Sequence, residues 1–205
     1  MIFRWLVLVM VAATIGISGS FRWRARRTGD VIERRREGVW FALGRSVVAL
    51  PLFGSVLLYV LRPDWMEWSA LPMPMWLRWI GFVLAALAVP CAWWVFSSLG
   101  RNVSETVLTK TDHSLVTAGP YRWVRHPLYG TGGILLVGVG LMAANWFILL
   151  FALLAVVLIR GVVVPIEERA LTAKFGDAYR VYMRDTGGML PRLAAGSRVD
   201  LESGR

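Results

Sequence analysis

An all-α polytopic membrane protein, with about five transmembrane helices, a long polar loop before the fourth and a C-terminal amphipathic helix, is the fold this chain predicts. Three observations carry that prediction. Of 205 residues, 57% are hydrophobic and only 18% are charged, with a mean hydropathy of +0.56, a balance that soluble domains of this size do not normally show. Several apolar runs approach the ~20 residues needed to cross about 30 Å of hydrocarbon. The arginines mostly flank those runs, so the formal charge of +10 reads as membrane topology and attraction to anionic headgroups. No nucleic-acid motif accompanies it, and no nucleic-acid partner is expected.

The first run, Ile2 to Ser20, is interrupted only by Arg4. Its basic cluster (Arg22, Arg24, Arg26, Arg27, Arg34, Arg35 and Arg36) follows the apolar stretch, whereas a cleaved signal carries its positive region in front. A retained span is therefore expected, with the N-terminus outside and the arginine loop in the cytoplasm. The second span runs from about Val39 to Leu61, with Arg45 near its cytoplasmic end and Pro51 near its middle. A short proline-containing segment bearing Arg62, Asp64 and Glu67 suits the outside. The third span, Trp76 to Leu99, returns to the cytoplasm and contains the single cysteine, Cys91, which can form no intrachain disulfide.

Arg101 to Arg125 is the long polar connection. Leu128 to Met142, rich in glycine, and Trp146 to Val164 then read as a helical hairpin around Ala143 to Asn145. Small residues at such spacing let a helix or ligand approach the backbone closely. Pro165 to Asp185 reads as an amphipathic helix with Leu171, Phe175, Ala178, Tyr179 and Tyr182 on one face. The polar tail after Pro191 lacks the apolar surface to offset ordering entropy and is expected to be disordered. Five spans put the C-terminus inside, on the side of the polar loop. The expected organisation is 1–98, 99–191 and a tail at 192–205.

Two unusual polar stretches therefore converge. One runs from His113 to Tyr129, contains both histidines, and has Pro127 placed to open the following helix. The other opens with Glu167-Glu168 directly after the fifth span. Adjacent carboxylates lie about 100° apart on a helix, so one can face a ligand while the other meets arginines or solvent. An ideal helix through Pro165 puts Glu167 on a line with Arg160 and Leu171 and favours it as the ligand contact. Two histidines on a proline-bearing loop without cysteines make a poor metal set. The chain also lacks a nucleophile elbow and a glycine-rich dinucleotide fingerprint.

His113-x-Leu-Val-x-x-Gly-x-Tyr121, Arg125-His126-Pro127-x-Tyr129, a hairpin, and Glu167-Glu168 with Leu171, Phe175-Gly176 and Tyr179 together resemble the isoprenylcysteine carboxyl methyltransferase family and its phospholipid methyltransferase relatives. The likeness covers about Leu99 to Pro191 and implies that 99–191 is a methyltransferase core using S-adenosyl-L-methionine. By that resemblance His113, Ser114, Leu115, Val116, Tyr121, His126, Pro127, Leu128, Tyr129 and Glu167 would hold the cofactor on the cytoplasmic side. Arg125, Glu167 and Glu168 are the candidate catalytic residues. An arginine and a glutamate of the eukaryotic members align with Gly161 and Pro165, which makes the neighbouring Arg160 the candidate substrate-binding cation. The acceptor implied is lipophilic or small: an isoprenylcysteine-type carboxylate, a phospholipid amine or a thiol, met among membrane lipids. A membrane NADPH-dependent reductase of the sterol reductase type and a non-catalytic membrane scaffold are the alternatives, and the sequence leaves the oligomeric state open.

Overall fold

The computed structural model of the protein describes residues 2–26, 39–99 and 115–192. The arginine loop from Arg27 onward, the side chain of Arg45, His113 and Ser114, and the tail from Leu193 lie outside the described residues. The described chain is helical: α1 (Ile2–Arg26), α2 (Val39–Leu61), α3 (Met75–Leu99), α4 (Pro127–Ala143), α5 (Trp146–Leu158), a π-helical turn (Ile159–Val163), α6 (Val164–Phe175) and α7 (Asp177–Asp185). Short 3-10 turns at Pro63–Ser69 and Gly119–Arg122 complete it. Among the described residues β-pairing is confined to two isolated bridges, Ala70 with Asn145 and Val124 with Gly187.

Among the described residues three helices are long and apolar enough to cross a membrane: Ile2–Ala25, Met75–Leu99 and Trp146–Phe175. Ser46–Leu61 and Pro127–Ala143 are shorter apolar helices. Five apolar segments thus form the bundle of an integral membrane protein. Its outward faces carry exposed Leu50, Phe53, Leu57, Leu87 and Val157, side chains suited to lipid. Phe3, Val7, Leu52, Val139, Met142 and Ile148 fill the interior.

The fifth apolar segment does not stop at Pro165. It runs on through the π-turn as one helical rod of 30 residues, about 45 Å long, so its charged second half must project beyond the hydrocarbon. Proline lacks an N–H and crowds the carbonyl four residues back. The widened turn just before it, in which Val164 N–H donates to Ile159 O, lets the rod continue past that defect. The amphipathic segment expected over Pro165 to Asp185 is instead two helices. Gly176 ends α6 at φ 56°, a left-handed conformation that favours glycine, and α7 turns back.

α3 and α4 make the most extensive helix contact among the described elements, α1 lies against both, and α2 packs on α5. Backbones touch where α3 meets α4. A Cβ on Gly81 would sit 2.7 Å from Gly138 O, and one on Gly138 would sit 2.7 Å from Gly81 O. Neither neighbour is a flexible side chain, so Gly138→Ala is expected to destabilise the bundle by about 1–3 kcal/mol. Denaturant titration in mixed micelles checks this, and a wild-type midpoint would refute the close approach. At the same end of the bundle, arginines cap helix C-termini: Arg78 donates to Met142 O at 2.8 and 3.0 Å, and Arg4 donates to Val60 O at 2.6 Å. Asn145 caps α5 by accepting from Ile148 N–H at 3.1 Å, and donates to Ser69 Oγ at 2.7 Å.

Candidate functional site

The loop entering α4 and the rod leaving α5 meet at the opposite end. Pro127 occupies the first turn of α4, where a missing N–H leaves no bond unmade, and fixes His126 as the residue before the helix. His126 is 4% exposed and lies between the two carboxylates. Its Nε2 is 3.2 Å from Glu168 Oε1, and its Nδ1 is 3.6 Å from Glu167 Oε2. Its ring stacks on Tyr129 with centroids 5.8 Å apart.

Arg125 completes the cluster. Its Nε and one terminal nitrogen donate to Glu168 Oε1 at 2.9 and 2.8 Å. The other terminal nitrogen donates to Met183 O at 3.0 Å and to Thr186 O. Every side-chain nitrogen of Arg125 is therefore engaged, and the guanidinium ties α6, the end of α7 and the segment after it into one unit. Glu168 is anchored in turn, since Thr172 Oγ donates to its carbonyl at 2.7 Å.

The electrostatics follow from these distances. The His126 imidazole, with the Arg125 guanidinium beside it, holds the Glu168 carboxyl at about 2 from an ordinary 4.5, against the upward pull of burial. Burial pulls His126 down, but the negative charge of Glu167 and Glu168 and the hydrogen bond to Glu168 outweigh it and raise the imidazole above 6.5. Burial pushes the Tyr121 and Tyr179 phenols up, and lifts Tyr182 to about 12. These tyrosines remain hydrogen-bond donors at neutral pH.

Among the described residues two buried side-chain polar atoms have no hydrogen-bond partner: Glu167 Oε2 and the Tyr179 hydroxyl. An orphaned buried acceptor and an orphaned buried donor in one cluster are uncommon and call for an explanation such as a ligand. Tyr182 is different, because its hydroxyl donates to Tyr121 O at 2.6 Å and pins the 3-10 turn to α7. Tyr179 and Tyr182 read in the sequence as an apolar helix face. Their spacing after a helix-breaking Gly176 is the signal that could have marked them as part of a site.

The other expected site residues are placed as follows. Tyr121 is buried in the 3-10 turn, and Leu115 and Val116 are partly buried just before it. Leu128 packs on Ala25 and Phe96, at the junction of α1 and α3. Arg160 does not join the carboxylate cluster. It is exposed on the π-turn and lines a separate cleft of about 790 Å³ between α4, α5 and the segment after α7. Among the described residues no group of three or more His, Cys, Asp or Glu could hold a metal ion.

Residues 76–178 match the family described as phospholipid methyltransferase. The chain is 29% identical over 170 residues to the cobalt-zinc-cadmium resistance protein CzcN of Cupriavidus metallidurans, covering 83% of this chain and 70% of that protein. It is 29% identical over 164 residues to the nickel-cobalt-cadmium resistance protein NccN of Alcaligenes xylosoxydans xylosoxydans, covering 80% and 68%. With the protein-S-isoprenylcysteine O-methyltransferase of Schizosaccharomyces pombe it shares 32% identity over 96 residues, 46% of this chain and 41% of the relative. A solved structure of the eukaryotic intramembrane Ras methyltransferase, isoprenylcysteine carboxyl methyltransferase, is similar in fold, with a TM-score of 0.52 at 23% identity over 78% of this chain and 54% of that one.

Proposed function

This chain belongs to the phospholipid methyltransferase family, and from that premise we propose that it is an S-adenosyl-L-methionine-dependent enzyme methylating a nucleophile on a lipophilic or small acceptor at the membrane. One observation carries the reading. The polar cluster and the apolar cleft adjoin at consecutive residues, His126 in the cluster and Pro127 in the cleft wall. A polar donor site beside an apolar acceptor site is the arrangement that group transfer from a water-soluble cofactor to a membrane-dissolved molecule needs.

The orphaned groups fit that donor. Glu167 Oε2 can accept from its ammonium, and the Tyr179 hydroxyl can donate to its carboxylate or a ribose oxygen. His113, Ser114, Leu115, Val116, Tyr121, His126, Pro127, Leu128 and Tyr129 would surround the rest. When bound, the cofactor supplies a methyl group on a sulfonium whose positive charge is lost in an in-line displacement, so the protein has mainly to position two reactants and exclude water. Arg125 and Glu168 hold the walls in register, and Arg160 offers a cation to an anionic acceptor head. Isothermal binding of S-adenosylhomocysteine and of NADPH to detergent-purified protein tests the assignment, followed by labelled methyl transfer into lipid extract. Binding of NADPH alone would replace it with a reductase.

The sidedness proposed is N-terminus outside and C-terminus inside, with residues 99–191 as the methyltransferase core. In a Cys91→Ala background, Thr28→Cys, Thr111→Cys and Ser197→Cys are expected to label from the cytoplasmic side only. Labelling of Ser197→Cys from outside would invert the scheme.

A further inference from the structure

The cleft beside the cluster is bounded by α3, α4 and α5 on three sides, and on the fourth by a non-helical strap, Thr186 to Pro191, which contributes Gly188, Met189, Leu190 and Pro191. Leu84, Ile134, Val137 and Leu153 make the helical walls apolar, and Thr131 and Arg160 are the polar side chains that reach it. The strap is fixed from the donor side. Arg125 N–H donates to Gly187 O at 2.8 Å, His126 N–H to Gly188 O at 3.0 Å, and Gly187 N–H to Trp123 O at 3.2 Å. It also presses on α4, since a Cβ on Gly130 would come within 3.0 Å of Met189 O. Its backbone therefore has little room to retreat, and what it presents to the cleft is decided by its side chains.

Resting on the function proposed above, we propose that this strap is the specificity-determining wall of the acceptor cleft, with Met189 setting the girth of the apolar chain that is admitted. The occupant is the hydrocarbon chain of a single-chain amphiphile whose anionic head lies at Arg160, an exposed cation without a described partner. The apolar walls suit a hydrocarbon chain, and Arg160, the one cation among the lining residues, suits an anionic head. Methionine suits the position, because its unbranched thioether adapts to an irregular chain while still occupying volume. Discrimination by such a wall is bounded: one methylene in an apolar pocket changes selectivity by about 10- to 200-fold.

The test uses full-length protein in nanodiscs, a photoactivatable diazirine palmitate as probe, and mass-spectrometric mapping of adducts. Straight-chain palmitic acid and methyl-branched phytanic acid serve as competitors. Wild type is expected to give adducts on cleft residues of α4 and α5 and to prefer palmitic acid. Met189→Ala should move that preference toward phytanic acid by about tenfold, and Met189→Trp should suppress cleft adducts by a similar factor. S-adenosylhomocysteine affinity should stay at the wild-type value in both, and Val181→Ala, on the exposed face of α7, should change neither readout. Unchanged competitor order in both Met189 variants, or adducts confined to the outer faces of the bundle, would overturn the proposal. If S-adenosylhomocysteine fails to bind wild type while Met189 still governs chain preference, the donor assignment falls and the cleft wall stands.

Discussion

Glu168→Gln is expected to destabilise the protein by about 2 kcal/mol, less than the ~3–5 kcal/mol of breaking a fully buried ion pair, because this pair is part-buried. The near-isosteric change removes the charge and replaces one acceptor oxygen by an NH2 donor. It leaves Arg125, whose side chain is 11% exposed, beside a raised His126 with no anion bridging them. An exposed pair would be worth about 0–1 kcal/mol at most, so the size of the loss separates a structural keystone from a surface contact. Unfolding midpoints in mixed micelles measure it, and a change within that surface range would remove Glu168 from the framework of the site.

The pH profile supplies an independent check. Glu168 is held below its ordinary 4.5, at about 2, so its contribution is present above 4.5 and is lost as the pH falls from there toward 2. His126 is held above 6.5, so its contribution is complete below 6.5 and is lost as the pH rises through its folded value. Wild-type stability should therefore be highest between 4.5 and 6.5. Glu168→Gln should flatten the acid limb and, by removing one carboxylate from His126, bring the alkaline limb to lower pH.

Much of this arrangement is legible in the sequence because hydrocarbon thickness is a length criterion. Apolar runs such as Trp76 to Leu99 and Trp146 to Val164 announce themselves, and their count brings His126 and the glutamate pair to one end of the bundle. The partition of roles between Glu167 and Glu168 is not legible, because it depends on helix phase. A line from Arg160 to Glu167 to Leu171 assumes 3.6 residues per turn throughout, whereas the π-turn at Ile159–Val163 adds backbone to one turn and rotates everything beyond it. Arg160 is thereby delivered to the cleft and Glu168 to Arg125. The strap is silent for a different reason. Gly187-Gly188 carries no periodicity, and its placement is fixed by backbone hydrogen bonds to Arg125 and His126, which depend little on side-chain identity. Tyr179 and Tyr182 fit an apolar face so well that their hydroxyls are informative only after the chain has turned at Gly176.

Glu167→Gln is expected to show the opposite signature from its neighbour: stability near wild type, with S-adenosylhomocysteine affinity reduced about tenfold to somewhat over a hundredfold, the 1.5–3 kcal/mol of a hydrogen bond to a charged group. The reason lies in what each carboxylate already has. Glu168 Oε1 receives Arg125 twice and lies 3.2 Å from His126 Nε2, so that oxygen is committed to holding the cluster together. Glu167 Oε2 is buried without a hydrogen bond, and His126 Nδ1 at 3.6 Å is beyond hydrogen-bonding distance. In the free protein that charge faces, among the described residues, only His126, at 3.6 Å, so removing it forfeits less folding energy than removing the charge of Glu168. Removing the Glu167 charge from a complex in which it meets an ammonium forfeits that interaction in full. Titrating both single mutants with the same ligand at one ionic strength, alongside their unfolding midpoints, gives four numbers whose pattern is decisive. Equal affinity losses in the two mutants would mean that Glu167 acts only through the cluster, and a wild-type affinity in Glu167→Gln would leave the orphaned oxygen without a ligand to explain it.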